Sequence, residues 1–147
     1  MISFRNDYSE GAHPSVLESL SKHNFETTCG YSMDPFCQQA ADTVRKLTVC
    51  PDADVHFIVG GTLANTIVIS AALRPWEGVI AATTGHINVH ETGAIESSGH
   101  KVCSIEAPDG KLTPALVREV MRIHCDGKDE HMVLPRMVYI SDATELG

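Results

Sequence analysis

From Asp54 onward, short β-branched runs alternate with amphipathic windows of helical period. That alternation confines the chain to an α/β architecture, three layers in which a mostly parallel sheet is flanked by helices. The runs are residues 54–59, 78–82, 101–105 and 136–141, each with the length and composition of a short strand. Between them lie helical windows at 62–73, stopped by Arg74-Pro75; at 88–97, stopped before Gly99; and at 113–124, opened by Thr113-Pro114.

Two more helices are expected ahead of Asp54. Pro14 opens one whose Val16, Leu17 and Leu20 form an apolar stripe. Asp34-Pro35 opens the other, spanning 36–47, with Phe36, Ala40, Val44 and Leu47 on one face and Arg45 and Lys46 at its C-terminal end. The division read from this pattern is an N-terminal helical segment over 1–53 and an α/β portion over 54–147. The final strand is followed by only six residues, so the sheet reads either as a complete small domain or as the front of a larger one. In the second case apolar surface beside Val138 and Ile140 and along the Ile67-Ile69-Leu73 helix is expected to stand uncovered.

A formal charge of −8 repels phosphate backbones and anionic bilayers, which argues against nucleic acid and membrane as partners. No apolar run approaches the ~20 residues of a membrane span, and the opening residues carry no export leader, so a cytoplasmic protein is expected. Five cysteines, none in a CxxC pair, suggest reduced thiols rather than disulfides or structural zinc.

Two segments carry chemistry. In Val59-Gly60-Gly61-Thr62-Leu63-Ala64-Asn65 a strand runs through two glycines into a helix. Such a junction suits an anion, because glycine lets it approach the backbone and the first-turn amides are unpaired. Neither GxxxxGK[ST] nor GxGxxG is present, so no nucleotide is specifically implied, and a plain turn capped by Thr62 is the competing reading. The second segment, Thr84-Gly85-His86-Ile87-Asn88-Val89-His90-Glu91, follows a strand, and in an open α/β sheet the loops at the carboxyl ends of strands form the ligand crevice. His86 and His90, four apart with Glu91 adjacent, raise a metal reading, but the order is not HExxH and no third ligand is evident. No metal is expected. His131 lies in an acidic stretch that reads most simply as a solvated loop.

Taken in order, FRNDYSEGAHPSVLESL, CGYSMDPFCQQAADTVRKL, GGTLAN, GHINVHETGA, DGKLTP and RMVYISDATELG resemble the N-terminal portion of threonine aldolase-like enzymes. These belong to the aromatic amino acid β-eliminating lyase/threonine aldolase family of pyridoxal 5′-phosphate proteins. The resemblance implies the front part of an aspartate aminotransferase-type (fold type I) large domain, truncated, in an enzyme that cleaves a β-hydroxy-α-amino acid to glycine and an aldehyde. It implies that Gly60, Gly61 and Thr62 hold the cofactor phosphate, and that His86 stacks on the cofactor ring and serves in proton transfer. It further implies that His131 acts on the substrate hydroxyl. Asn6 and Asp7, where the family has Ser-Asp, and Tyr31, near a subunit interface, are implied on the substrate side.

The family's Schiff-base lysine and its aspartate to the pyridinium nitrogen lie beyond the matched segments, and none of Lys22, Lys46, Lys101, Lys111 or Lys128 stands in a matching context. The chain alone is therefore expected to be inactive, with a homo-oligomer and a small amino acid substrate belonging to the full-length enzyme. The competing readings are a non-catalytic truncated or split-gene fragment, a pyridoxal-phosphate enzyme of β-elimination, and a metal-binding module.

Overall fold

The computed structural model describes residues 10–126 and 130–147. The chain divides into two compact units, one up to Phe57 and one from Ile58 to Gly147. Among the described residues no helix is long and apolar enough to cross a membrane.

The first unit contains α1 (Pro14–His23) and α2 (Pro35–Leu47). Both start with proline, whose missing N–H costs nothing in a first turn where amides have no intrahelical partner. Asp34 caps α2 by accepting from the Cys37 amide at 2.9 Å. Hydrogen bonds from Cys37, the thiol foremost and then the amide, hold the Asp34 carboxyl below its ordinary range. Val16, Leu17 and Leu20 on α1 are exposed.

The second unit holds α3 (Gly61–Ala72), β1 (Glu77–Ala82), α4 (His86–Val89), α5 (Ala94–Ser97), β2 (Val102–Ile105), α6 (Pro114–Cys125) and β3 (Leu134–Val138). The sheet order is β2-β1-β3 and both pairings are parallel. All six residues of β1 are buried, as a central parallel strand covered on both faces requires. Its side chains alternate between two cores. Val79 and Ala81 pack with Ile69 and Leu73 of α3, Ile87 of α4 and Ile95 of α5, while Ile80 packs with Cys103 and Val120 of α6. Helices thus cover both faces, which is the three-layer arrangement expected from the sequence.

Three sequence expectations are corrected. Residues 54–59 form no strand: they join no ladder among the described residues, and Phe57 and Val59 stay exposed. A β-branched run supplies strand propensity, but a strand exists only where a neighbour accepts its hydrogen bonds. The expected helix over 88–97 is two short helices, because Thr92 and Gly93 take left-handed conformations with φ of 50° and 73° that interrupt α-helical hydrogen bonding. The last strand runs from Leu134 to Val138, beginning and ending earlier than the expected 136–141, and includes Pro135. Among the described residues β3 pairs with β1 alone, and its register slips between Gly78 and Val79 of β1, a bulge that takes up Arg136 beside Pro135, which has no N–H to give a ladder. Of the apolar residues expected to stand uncovered, Ile67, Val138 and Ile140 are exposed, whereas Ile69 and Leu73 are buried in the core.

Gly78 of β1 has no room for a side chain. A Cβ there would lie 2.8 Å from the Lys101 carbonyl oxygen and 2.8 Å from Val133 Cγ1, with Cys103 Sγ at 3.1 Å. The backbone oxygen cannot yield without moving β2. Gly78→Ala is therefore expected to destabilise the protein by about 1–3 kcal/mol, read as a lower urea midpoint; an unchanged midpoint would contradict this packing.

Candidate active site

In a parallel sheet every strand ends on the same edge, so the loops that follow β1, β2 and β3 share one side of the molecule. They line a cavity of about 190 Å³ there, with Ala82 at the end of β1 and Gly85 after it, Gly110 and Lys111 after β2, and Tyr139 and Ser141 after β3. His86 follows Gly85 as the first residue of α4.

The start of α3 is open. Gly60, the N-cap, has φ 82° and ψ 156°, a region that side chains other than hydrogen avoid, and it offers no side-chain cap. The first intrahelical bond runs from the Ala64 amide to the Gly60 carbonyl at 3.2 Å, which leaves the Gly61, Thr62 and Leu63 amides without intrahelical partners. A Cβ built on Gly60 or Gly61 meets nothing within 4 Å, and Thr62 is exposed. The dipole of a 12-residue helix adds positive potential at this point.

A carboxylate links α3 to His86. Asn65 Nδ2 donates to Glu91 Oε1 at 2.6 Å, and His86 Nδ1 lies 2.8 Å from the same oxygen. The Glu91 side chain is fully buried and that of His86 is 43% exposed. Thr62 and Asn65 are three residues apart on α3 and so share a helix face. The bridge therefore brings His86 to the side of α3 that carries Thr62. Glu91 Oε2 and Thr84 Oγ1, both buried, have no hydrogen-bond partner among the described residues.

The remaining sequence candidates lie elsewhere. His131 precedes β3, whose first residue bonds through its amide to the Trp76 carbonyl ahead of β1. That is the amino edge of the sheet, whereas His86 follows the carboxyl edge, so parallel strand direction keeps the two histidines of one chain apart. Tyr31, fully exposed with φ 60°, belongs to the unit ending at Phe57. Asn6 and Asp7 lie outside the described residues. His90 caps α4, and its ring lies 5.4 Å from that of His86, whose Nδ1 faces Glu91. Among the described residues no three metal-ligating side chains gather.

Sequence reasoning missed Asn65 as a site residue and weighed Glu91 only as a metal ligand. The available signal was an amide within a helix rich in Leu, Ile, Val and Ala, since a polar side chain drawn toward a core requires a partner.

A family model described as beta-eliminating lyase matches residues 4–147. The chain belongs to the beta-eliminating lyase family. Among its relatives, a low specificity L-threonine aldolase of Pseudomonas sp. (strain NCIMB 10558) is 36% identical over 146 residues, and one of Pseudomonas aeruginosa is 32% identical over the same length. Each alignment covers 98% of this chain and 41% of the relative. The solved structure of Leishmania major threonine aldolase superposes with a TM-score of 0.90 at 50% identity, covering 97% of this chain and 41% of that one. This family member thus spans about two-fifths of the length of the aldolases it matches, and its three-stranded parallel sheet with flanking helices has the fold of the corresponding part of the Leishmania enzyme.

The backbone at the α3 entry makes two neighbouring glycines behave differently. Gly60→Ala is expected to cost about 1–3 kcal/mol in urea unfolding, because its φ forces strain on any Cβ. Gly61→Ala, with a helical backbone and open space, is expected to be neutral or stabilising by up to about 1 kcal/mol. Equal effects would contradict the entry geometry.

Proposed function

We propose that the chain supplies the phosphate-binding helix start and the ring-facing histidine of a pyridoxal 5′-phosphate-dependent lyase of the threonine aldolase type. The reaction is cleavage of a β-hydroxy-α-amino acid to glycine and an aldehyde. The observation that carries the proposal is the open Gly60-Gly61 entry to α3, tied through Asn65 and Glu91 to a half-exposed His86. The similarity to threonine aldolases over nearly the whole chain supports the choice of reaction.

The residues present fit two parts of the cofactor. Gly61 and Thr62 would hold the phosphate: the amides need an acceptor, the glycines leave room for it, and the helix dipole favours its charge. His86 would lie against the pyridine ring, where a flat imidazole restrains the plane while one nitrogen remains available to move a proton. The cofactor, when bound, supplies the electron sink for the pair left on Cα as the Cα–Cβ bond breaks. Tyr31, Asn6, Asp7 and His131 belong to the proposal on the substrate side, as do assembly into a homo-oligomer and a cytoplasmic location.

None of the five lysines matches the family's Schiff-base lysine, so the chain alone is expected to bind without covalent attachment. Titrated with pyridoxal 5′-phosphate, it should show amide shifts at Gly61, Thr62 and Leu63 and ring shifts at His86, with affinity at least about tenfold above that for pyridoxal lacking the phosphate. Borohydride reduction should leave no stoichiometric adduct on a single lysine. Equal affinity for the two compounds, or shifts confined to other residues, would overturn the phosphate assignment. A single stoichiometric pyridoxyl-lysine would overturn the claim about covalent attachment.

A further inference from the structure

Glu91 is not an ordinary structural carboxylate. A buried acidic side chain normally satisfies both oxygens, because leaving an acceptor unpaired inside a protein is costly. Here Oε1 carries both contacts, Asn65 Nδ2 at 2.6 Å and His86 Nδ1 at 2.8 Å, while Oε2 is buried with no partner among the described residues. The side chain is thus aimed by two bonds on one atom, and one of them reaches the half-exposed imidazole assigned above to the cofactor.

The chemistry of those bonds fixes the proton on His86. An ionised carboxylate only accepts hydrogen bonds, so the ring nitrogen facing Oε1 must carry the hydrogen. The amide of Asn65 donates to the same oxygen and keeps it directed at His86. Among the described residues His86 Nε2 makes no hydrogen bond. In the neutral ring, therefore, Nδ1 carries the hydrogen and Nε2 the lone pair.

We infer that Glu91 is a positioning residue: oriented by Asn65, it holds His86 as the Nδ1–H tautomer, fixes the ring plane, and leaves Nε2 as the nitrogen that takes and returns a proton. This rests on the reading that His86 meets the cofactor. When Nε2 takes a proton, the imidazole becomes a cation and the buried Glu91 carboxylate is its counter-charge; return of the proton restores the Nδ1–H form. The same bridge ties the ring to α3, so the helix that receives the phosphate and the histidine that faces the ring are held by one side chain.

The test uses the 147-residue chain without cofactor. Long-range proton–nitrogen spectra of the ¹⁵N-labelled protein distinguish the tautomers of each neutral histidine, and the His86 signals are identified by their loss in His86→Gln. The wild-type chain should show Nδ1–H in roughly tenfold or larger excess, the ratio expected when one tautomer gains a charge-assisted hydrogen bond. In Glu91→Ala the Nε2–H form should become the major one. A wild-type ring that is mainly Nε2–H, or a tautomer ratio unmoved by Glu91→Ala, would overturn the inference; should Glu91→Ala fail to fold, the wild-type spectrum decides alone. Addition of pyridoxal 5′-phosphate separates the two claims. An Nδ1–H ring that does not respond to the cofactor supports the hold by Glu91 and overturns the cofactor reading of His86.

Discussion

The arrangement on the carboxyl edge depends on the buried carboxylate of Glu91. Helix α3 and the segment that carries His86 come from opposite sides of β1 in the sequence, and apolar packing through Ile69, Ile87 and Ile95 brings them to the same face of the sheet. Hydrophobic burial is non-directional and sets neither the rotation of an imidazole nor the position of a helix start. Hydrogen bonds do, and the two that meet at Glu91 Oε1 connect the helix to the ring. A buried carboxylate is unstable without donors, so the same requirement that makes Glu91 costly makes its partners hard to displace.

That bridge has value only because the sheet is parallel. Parallel pairing of β1 with both neighbours gathers three strand-end loops on one edge, where Gly85, Gly110 and Ser141 line a common cavity. It also sets a limit, since a residue that precedes a strand falls on the opposite edge. His131 precedes β3 and His86 follows β1, so two histidines grouped by resemblance are separated within one chain by the direction of the strands.

Much of this was legible in the sequence because it depends on local pattern. Prolines at the starts of α1, α2 and α6, the β-branched core of β1, and the glycine pair at the entry to α3 each act through neighbouring backbone, and the structure carries them there, though no strand leads into the glycines. What was not legible depends on distant groups. Residues 54–59 have strand composition but no ladder partner among the described residues; Pro135 falls inside β3 although the expected strand starts at Arg136; the left-handed Thr92 belongs to a residue type with no such preference. The largest omission was the Asn65–Glu91 contact, which joins residues 26 apart and leaves no periodic trace. The resemblance to threonine aldolases added the chemistry of the glycine pair and of His86, which composition alone left open between an anion site and a plain turn.

A double-mutant cycle between Asn65 and Glu91 tests most directly whether one carboxylate couples α3 to the His86 segment. Asn65→Ala leaves a buried carboxylate short of a donor and Glu91→Ala leaves a half-buried amide short of an acceptor, whereas the double variant leaves neither, so the separate losses should not add. With urea unfolding as the readout, the account predicts that the double variant loses less stability than the sum of the singles by about 1–3 kcal/mol. Additivity to within about 0.5 kcal/mol would contradict it, because the two side chains would then be neighbours without being partners.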